Sequence, residues 1–418
     1  MPHPTSARRR RAGFVLVTMM LAMVGLLAFL GLAIDVGYMQ YQKTCMQAAA
    51  DAAALGGVQE LRMNGSASVA AAAKSDAALN GFTGGQNGVS VTVNSPPASG
   101  YYTGDSTAVE VLISQTVKTL FLALAGSSSA TVQARAVAHQ GPGTGCIFAL
   151  DASAAGAFSV SNGATVQASG CGVVVDSTSA QALTVTGGAK ASAASFSVAG
   201  SYSITNGGSA NPLPTAHAAA QPDPLAYVAA PSVGSGCLQT NYNPGWTPPP
   251  LVLNPGIYCG GIRLGNGNTV IFNPGTYILK GGGLSIGGGV NASGTGVTFY
   301  NTQGGGFNFQ PIALDNGTTI NFSAPTTGPL AAMLFFQDRG ISAATGISLA
   351  GGANLTLNGA LYFPGSAFSC SNGASCATGA YTIIVAKTLS FTGGVNVKAD
   401  YSSLPGGTPV KGGAALSE

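Results

Sequence analysis

Residues 262–272 read Ile-Arg-Leu-Gly-Asn-Gly-Asn-Thr-Val-Ile-Phe, with apolar residues alternating on both sides of a central glycine. Such period-two alternation is typical of half-buried strands, and a glycine between two alternating runs supplies the backbone conformation of a tight corner. The same unit, apolar-x-apolar-x-x-Gly-x-x-apolar-x-apolar, recurs at 158–168, 183–193, 284–294, 312–322, 347–357 and 389–399. The sequence therefore predicts repeated two-strand units through residues 146–405.

The spacing of the copies indicates how the units are arranged. Most neighbouring copies start 22 to 42 residues apart, from 262 to 284 at the shortest and from 347 to 389 at the longest. This interval suits one coil of a parallel β-solenoid with loop excursions. We therefore predict an all-β right-handed parallel β-solenoid for residues 141–418. A β-sandwich is the alternative, because short strands with frequent turns suit that fold too.

A proline-rich stretch from Pro212 to Pro255 separates the second copy of the repeat from the third. It contains Trp246 and the run Thr247-Pro-Pro-Pro250. Prolines at this density favour extended polyproline structure and exclude a central strand. We expect a surface crossover held in place by Trp246 as a hydrophobic clip. A docking segment for a partner protein is the alternative.

Seven cysteines divide into Cys45 near the amino terminus and six in the repeat region. Residues one coil apart stack at about 4.8 Å, a distance that a disulfide can bridge, and an external compartment permits disulfides. Cys45 remains a free thiol or an intermolecular link. Separations of one coil, and one short loop, predict the pairs Cys146–Cys171, Cys237–Cys259 and Cys370–Cys376.

Charged residues are scarce, since Asp, Glu, Lys and Arg make up 7% of the chain against roughly 25% in ordinary domains. The four arginines at 8–11 exceed the whole net charge of +3, and residues 141–418 contain seven basic and seven acidic residues. No basic stripe is available to neutralise phosphates. We therefore expect no nucleic-acid partner.

The repeat region also offers few groups for catalysis. Asp151 with Asp176, and Asp315 with Asp338, are spaced so that either pair could stack on adjacent coils, as in an enzyme acting on polysaccharides. We interpret them instead as turn and ladder residues, with Asp338 and Arg339 in local hydrogen bonds. No Cys-x-x-Cys occurs and the histidines at 3, 139 and 217 lie far apart, so we expect no metal, no cofactor and no catalytic residues.

The polar positions of the repeats allow a different kind of function. The eighth residue of each unit is polar and, if the alternation holds, points outward, which would form a row on one flat face. Such a row suits glycan binding, and it also suits an ordinary solvated face. Its members are Thr165, Lys190, Thr269, Asn291, Thr319, Asn354 and Asn396.

The amino terminus has the pattern of a membrane anchor. After the arginines, 22 uncharged residues run from Gly13 to Ile34 and would reach roughly 33 Å as a helix, enough to cross a bilayer. The apolar core of a cleaved signal peptide is shorter, about 7 to 15 residues, so we predict an uncleaved anchor. The arginines place the amino terminus in the cytoplasm by the positive-inside rule. Everything after Asp35 is then periplasmic or extracellular.

A first domain follows the anchor. The alanine-rich stretch from Tyr38 to Leu61 predicts a long helix, whose small side chains suit either an assembly surface or this chain's own strands. Three runs of alternating residues, at 89–93, 108–113 and 130–137, predict strands, and Lys118–Leu124 predicts a short helix. The predicted domains are a basic tail at 1–12, an anchor at 13–34, an α+β pilin-like domain at 35–140 and the solenoid at 141–418.

Two steps in the amino-terminal segment carry a resemblance to a known family. Gly31-Leu-Ala-Ile-Asp35-Val-Gly37-Tyr38 is followed by Gln47-Ala-Ala-Ala-Asp51-Ala-Ala-Ala-Leu55. This segment, about residues 12–62, resembles tight-adherence (Tad) pilus-assembly proteins of the TadG-like type. The resemblance implies an envelope protein of a bacterial surface appendage, not an enzyme. We expect Asp35, Gly37 and Asp51 to be the residues of membrane-boundary and assembly contacts. An unpaired charge at the boundary is costly, so a partner helix of the pilus machinery would pair with Asp35.

The predicted function follows from the anchor, the repeats and the resemblance together. We expect a single-pass protein of the bacterial inner membrane that serves as a structural component of Tad (Flp-type) pilus assembly or surface adherence. Its partners would be the membrane and pilus components that contact the amino-terminal helix. A surface adhesin that binds glycans on the solenoid face is the second hypothesis, and a polysaccharide-acting enzyme is the third.

Overall fold

The computed structural model describes residues 9–315, 317–350, 353–371, 375–376 and 379–417. The chain divides into two compact units. The amino-terminal unit runs to Gly141 and includes the residues from Gly413 onward, and the β unit comprises Pro142–Gly412.

The amino-terminal unit is a helical pair on a small sheet. Helix α1 (Arg9–Asn64) is continuous from the anchor into the first domain and contacts a second helix, α2 (Val69–Leu79), which the sequence did not predict. Three antiparallel strands follow in the order of the chain, and a last strand at Lys411–Leu416 extends the sheet beside the third. The three strands are β1 (Val89–Asn94), β2 (Ala108–Lys118) and β3 (Ser129–Pro142).

The predicted short helix at Lys118–Leu124 is largely wrong. Strand β2 continues to Lys118, and only a single 3-10 turn forms, at Leu122–Ala125. The alternation that predicted β2 extends through Val117, which is buried against the helices, and this burial lengthens the strand beyond its predicted end.

The β unit contains the repeats. Its first part has seven strands, β4 (Gly145–Ala149), β5 (Phe158–Val160), β6 (Thr165–Val175), β7 (Leu183–Val185), β8 (Lys190–Val198), β9 (Tyr202–Ile204) and β10 (Ser209–Asn211). Its second part has sixteen strands, β11 (Gln239–Tyr242), β12 (Leu251–Leu253), β13 (Gly256–Leu264), β14 (Thr269–Phe272), β15 (Gly275–Lys280), β16 (Leu284–Ile286), β17 (Asn291–Thr295), β18 (Val297–Thr302), β19 (Ile312–Leu314), β20 (Thr319–Ser323), β21 (Met333–Gln337), β22 (Ala343–Leu349), β23 (Asn354–Cys370), β24 (Ser375–Cys376), β25 (Thr382–Phe391) and β26 (Gly394–Asn396). The last strand of the chain, Lys411–Leu416, is β27.

Strands of the β unit pair in parallel with strands two or three positions along the chain, so the chain winds in successive coils. Each repeat places two strands on either side of a corner, as its sequence predicted. At two of these corners Asn162-Gly163 and Asn266-Gly267 have positive φ, a conformation that glycine and asparagine tolerate. The parallel pairing does not match the antiparallel β-sandwich that was the alternative.

The order of the coils in space differs from their order in the chain. From the coil at residues 145–175 the chain winds outward to β10, and residues 212–238 then carry it to the opposite end, at β11. From there it winds back until β25 pairs with β4 and β5. The last coil is therefore stacked on the first one, and both chain ends of the β unit lie in the middle of its sheet.

Aromatic rings fill the interior of the coils. Phe272 contacts Tyr277, Phe299 and Phe322 edge-on, with ring centroids 5.2 to 5.3 Å apart. Contacts of this geometry contribute about 0.5 to 1.5 kcal/mol each beyond the burial of apolar area. Because each ring touches rings from neighbouring coils, these contacts hold adjacent coils in register.

Residues 212–238, termed the crossover segment, lie against one side of the coils. Leu225 is fully buried in an apolar cluster with Phe336 and Tyr362. The Arg339 guanidinium donates to the Tyr362 hydroxyl at 2.6 Å and to the Leu225 and Val228 carbonyls at 2.9 and 3.0 Å. The predicted crossover is therefore present, and its anchors are an apolar side chain and a cation.

Trp246 does not act as the predicted clip, because its side chain is 67% exposed. The segment around it is held by Asn268 instead, a residue whose side chain is 2% exposed. Its amide donates to the Gly245 carbonyl at 2.6 Å and accepts from the Thr247 amide at 3.0 Å. A buried amide that bonds backbone on both sides fixes a loop without needing apolar burial.

The carboxy terminus departs from the predicted domain limits. The sequence assigned residues up to 418 to the repeat domain, whereas the residues from Gly413 belong to the amino-terminal unit. The reason is strand β27, which completes the edge of the four-stranded sheet beside β3. The Ser417 amide also donates to the Val137 carbonyl at 2.9 Å. The β unit is thus an insertion between two neighbouring strands of one sheet.

Candidate membrane-boundary site

The first half of α1 has the surface of a membrane-spanning helix. Its most apolar window has a mean hydropathy of 2.6, and 6% of that window is buried within the protein. Large apolar side chains such as Met19, Leu26 and Phe29 are more than two-thirds exposed. By length and composition this helix can cross a membrane, which fits the predicted anchor.

Asp35 marks the point where the apolar segment ends, and its side chain is only 4% exposed. Its carboxylate accepts three backbone hydrogen bonds, from the amides of Leu120 at 3.0 Å, Phe121 at 2.8 Å and Leu122 at 2.7 Å. These amides precede and begin the 3-10 turn, where backbone donors have no partner within the turn. Asp35 therefore fastens residues 120–124, termed the boundary loop, to the anchor helix.

The boundary loop is apolar and lies along α1. Leu120 is 71% exposed and Leu124 87% exposed. The Phe121 ring lies so close to Gly31 that a Cβ atom there would sit 2.5 Å from it. Steric contact with Phe121 thus explains glycine at position 31, because any larger side chain would displace the loop from the helix.

A groove forms where the boundary loop meets the helix. Its volume is about 400 Å³, and it is lined only by apolar residues, Ala28, Leu32, Phe121, Leu122 and Leu124. Ala28, Leu32 and Asp35 follow one another at helical spacings of four and three, so they share one face of α1. The loop therefore extends from Asp35 toward the amino terminus, alongside residues predicted to lie in the bilayer.

Asp35 is not an unpaired charge in this structure, because backbone amides of the same chain satisfy its carboxylate. Gly37 is exposed, and a Cβ atom added there would meet nothing within 4 Å. Asp51 is half-buried and accepts a 2.8 Å hydrogen bond from Gln47, whose amide also donates to the Arg135 carbonyl at 2.9 Å. Of the three predicted residues, only Gly37 is left open on the surface.

The alanine-rich surface of α1 faces this chain's own strands. Ala49 and Ala53 are fully buried in a core with Val109 and Val111. Ala48, in contrast, is exposed. Of the two readings of the alanines, the structure therefore favours packing on the chain's own sheet over an assembly surface.

The amino-terminal unit contains a buried ion pair that the sequence did not predict. Glu110 is 1% exposed and bonds the Arg135 guanidinium at 2.7 Å, the Asn94 amide at 2.7 Å and the Ser99 hydroxyl at 2.7 Å. Burial raises the pKa of the Glu110 carboxyl, but these hydrogen bonds outweigh it and lower the pKa to about 2. The available signal was a Glu inside a run of apolar strand residues, at 108–113.

The six cysteines of the β unit are brought together as three disulfides, and Cys45 is free and half-buried. The Cα atoms are 5.6 Å apart in two of the pairs and 6.6 Å apart in the third. Two of the bonds join neighbouring coils, and one of these secures the exit of the crossover segment. The pairs are Cys146–Cys171, Cys237–Cys259 and Cys370–Cys376.

Two of the carboxylates considered for catalysis, Asp151 and Asp338, accept hydrogen bonds that hold local structure. Asp151 accepts from the amides of Ser153 and Ala154, which together with Lys387 lower its pKa despite partial burial. Asp338 accepts from the Thr302 hydroxyl at 2.7 Å and from the Gly340 amide at 2.9 Å. Within the described ranges, no group of three or more His, Cys, Asp or Glu residues is arranged to hold a metal ion.

The polar row predicted on the repeats is largely exposed. Thr269, Asn291, Thr319 and Asn354 are exposed and directly aligned on successive coils. Thr165 pairs with Lys190 in the same way, whereas Asn396 aligns with Gln167 and so belongs to a neighbouring row. The aligned residues carry hydroxyl and amide groups, apart from the ammonium group of Lys190.

Comparison with known families assigns the amino-terminal part of the chain. Residues 13–60 match a family described as putative Flp pilus-assembly TadE/G-like, and residues 48–138 match one described as putative Tad-like Flp pilus-assembly. Comparison with curated proteins and with solved structures gives no match. The family prediction from the two sequence steps is confirmed for the amino-terminal part: residues 13–138 match Tad-type Flp pilus-assembly families, with the TadE/G-like match at residues 13–60.

Proposed function

We propose that this protein is a non-catalytic, single-pass component of the bacterial inner membrane that holds a β-solenoid outside the cytoplasm for Tad pilus assembly. The family matches support a role with pilus components. The observation that carries the proposal is the continuity of α1, in which an exposed apolar segment passes without a break into the helix packed on the first domain.

The proposed topology follows from charge and chemistry. The arginines before the apolar segment favour a cytoplasmic amino terminus. Three disulfides in the β unit suit an oxidising compartment, such as the periplasm or the cell surface. Both features agree on a β unit outside the cytoplasm.

The proposed right-handed solenoid rests on the parallel pairing of coils. Right-handed crossover connections are by far the commoner hand between parallel strands. A solenoid has one continuous apolar interior, and a chain in which only 7% of the residues are charged is compatible with such an interior. It would act as a rigid spacer or platform rather than as a catalyst.

The test is to locate the protein and its bound partners in the native envelope. Protease added to spheroplasts should remove the β unit and leave the anchor in the membrane fraction. Crosslinking in intact cells followed by purification should recover pilus-assembly components with the wild-type protein. Full protection from protease, or recovery without any pilus component, would contradict the proposal.

The exposed polar row supports a second candidate, a surface adhesin that binds glycans. Aligned Thr and Asn side chains, about 4.8 Å apart along the coils, can hydrogen-bond successive hydroxyls of an extended polysaccharide. A glycan array probed with the purified protein tests this idea. Replacing Asn291 and Thr319 with alanine should abolish any binding, whereas replacing Arg263, exposed on another strand, should not.

A further inference from the structure

The boundary loop presents an unusual surface for a loop outside the membrane. Its side chains at 120, 121 and 124 are large and apolar, and between 41% and 87% of each is exposed. Water would be an unfavourable environment for such a cluster, and exposed apolar patches mark contact sites. We therefore expect lipid or another protein, rather than water, to cover this surface.

The position of the loop along the helix favours lipid as its environment. Ala28 lines the groove beside Leu124 and lies seven residues before Asp35. At a rise of 1.5 Å per residue, the loop reaches roughly 10 Å along the helix into the apolar segment. If that segment crosses the bilayer, the loop lies at the depth of roughly 5 to 10 Å that interfacial apolar segments reach.

We propose that the boundary loop inserts into the outer leaflet of the bilayer beside the anchor, with Leu120, Phe121 and Leu124 in contact with lipid chains. Asp35 positions the loop by binding its backbone amides, which would otherwise be unsatisfied in an apolar medium. The exposed surface of the loop is then continuous with the lipid-facing surface of α1. The helix and the loop together fix the depth and rotation of the first domain at the membrane.

This inference rests on the proposed membrane anchoring, and tryptophan fluorescence in bilayers separates the two. The chain has one tryptophan, so Trp246→Phe gives a background without signal. On it, Leu124→Trp reports on the loop and Val24→Trp on the anchor. Leu79→Trp is the matched control, because Leu79 is an exposed leucine at the end of α2.

The full-length variants are reconstituted in phosphatidylcholine nanodiscs, with and without lipid brominated at the 6,7 positions of the acyl chain. We expect bromolipid to quench Leu124→Trp to within twofold of Val24→Trp and to leave Leu79→Trp unchanged. The emission of Leu124→Trp should also shift to shorter wavelength. All three substituted side chains are more than half exposed, so the folds should tolerate them.

The outcomes distinguish the two claims. Quenching of Val24→Trp without quenching of Leu124→Trp overturns the loop insertion and leaves the anchor intact. If neither Val24→Trp nor Leu124→Trp is quenched, the anchoring itself is overturned. Emission from Leu124→Trp at short wavelength without quenching would show a protein surface over the loop, such as a second copy, and would also overturn the lipid contact.

Discussion

Replacing Leu225 with alanine should release the crossover segment from the side of the coils. The Leu225 side chain is fully buried among Phe336, Tyr362 and other apolar residues of the β unit. Leu225 and Val228 are the two residues of the segment in this buried cluster, and most of its other members lie on the coils. The substitution therefore weakens the docking of the segment more than the stacking of the coils.

The size of the effect follows from burial. Leu→Ala changes in cores cost 2 to 5 kcal/mol. Because the Leu225 side chain is fully buried, we expect a loss of about 3 kcal/mol. That loss raises the equilibrium population of the detached segment roughly 150-fold, at 1.36 kcal/mol for each factor of ten. The coils should remain folded, because their ladders and aromatic contacts are unchanged.

Limited proteolysis measures this population directly. Subtilisin cleaves detached segments, and the rate tracks the open fraction when reclosing is fast. Full-length protein with intact disulfides is digested, reduced and mapped for cuts within residues 212–238. Leu213→Ala is the matched control, because Leu213 belongs to the same segment and is 68% exposed. It should be cut at the wild-type rate.

Equal cleavage of the Leu225→Ala and Leu213→Ala proteins would refute the reasoning, since it would mean that Leu225 contributes nothing to docking. Arg339→Met supplies a second arm. It removes two hydrogen bonds to carbonyls of the segment and a third to the Tyr362 hydroxyl on the coils. Because the guanidinium is partly exposed, we expect a loss of about 2 kcal/mol, or roughly a 30-fold faster cut.

Ala53→Leu should destabilise the amino-terminal unit by about 1 to 3 kcal/mol through overpacking, whereas Ala48→Leu should not, and thermal unfolding followed by helical circular dichroism compares them. Glu110→Gln should cost on the order of 2 kcal/mol at neutral pH. Because the folded pKa of Glu110 lies near 2, below its ordinary value of 4.5, its contribution to stability is present above pH 4.5 and lost as the pH falls through 2. The denaturation midpoints of mutant and wild type should therefore converge on acidification, and a constant difference between them would contradict this. Non-reducing peptide mapping should find only the pairs Cys146–Cys171, Cys237–Cys259 and Cys370–Cys376, and any other pairing would disprove the coil spacing.

Local patterns predicted the elements of the β unit well. The alternation and glycine of 262–272 became β13 and β14 with a corner at Asn266-Gly267. This success has a physical cause, since alternation and backbone freedom are properties of neighbouring residues. The order of the coils was not predictable, because every repeat presents the same apolar interior to either neighbour and nothing local specifies that β25 stacks on β4.

At the boundary site, too, the sequence showed the residues but not the groups that they contact. The sequence marked Asp35 but gave no role to Gly31, and the groups that contact them, the amides of 120–122 and the ring of Phe121, are some 85 to 90 residues away. An aspartate that ends an apolar run has the same local sequence whether it pairs with a partner helix or with its own backbone. Only the tertiary contact distinguishes the two cases.

The position of the last coil in the middle of the β unit limits how the protein can fold as the chain is synthesised. Coils made first, at residues 145–211, keep one end of their apolar interior uncovered until β25 and β26 have been synthesised, more than 150 residues later. Folding from the amino terminus toward the carboxy terminus therefore cannot be completed step by step. The growing chain must therefore expose an apolar coil end during much of its synthesis. In that interval a chaperone that holds unfolded chains would act, and aggregation competes with folding.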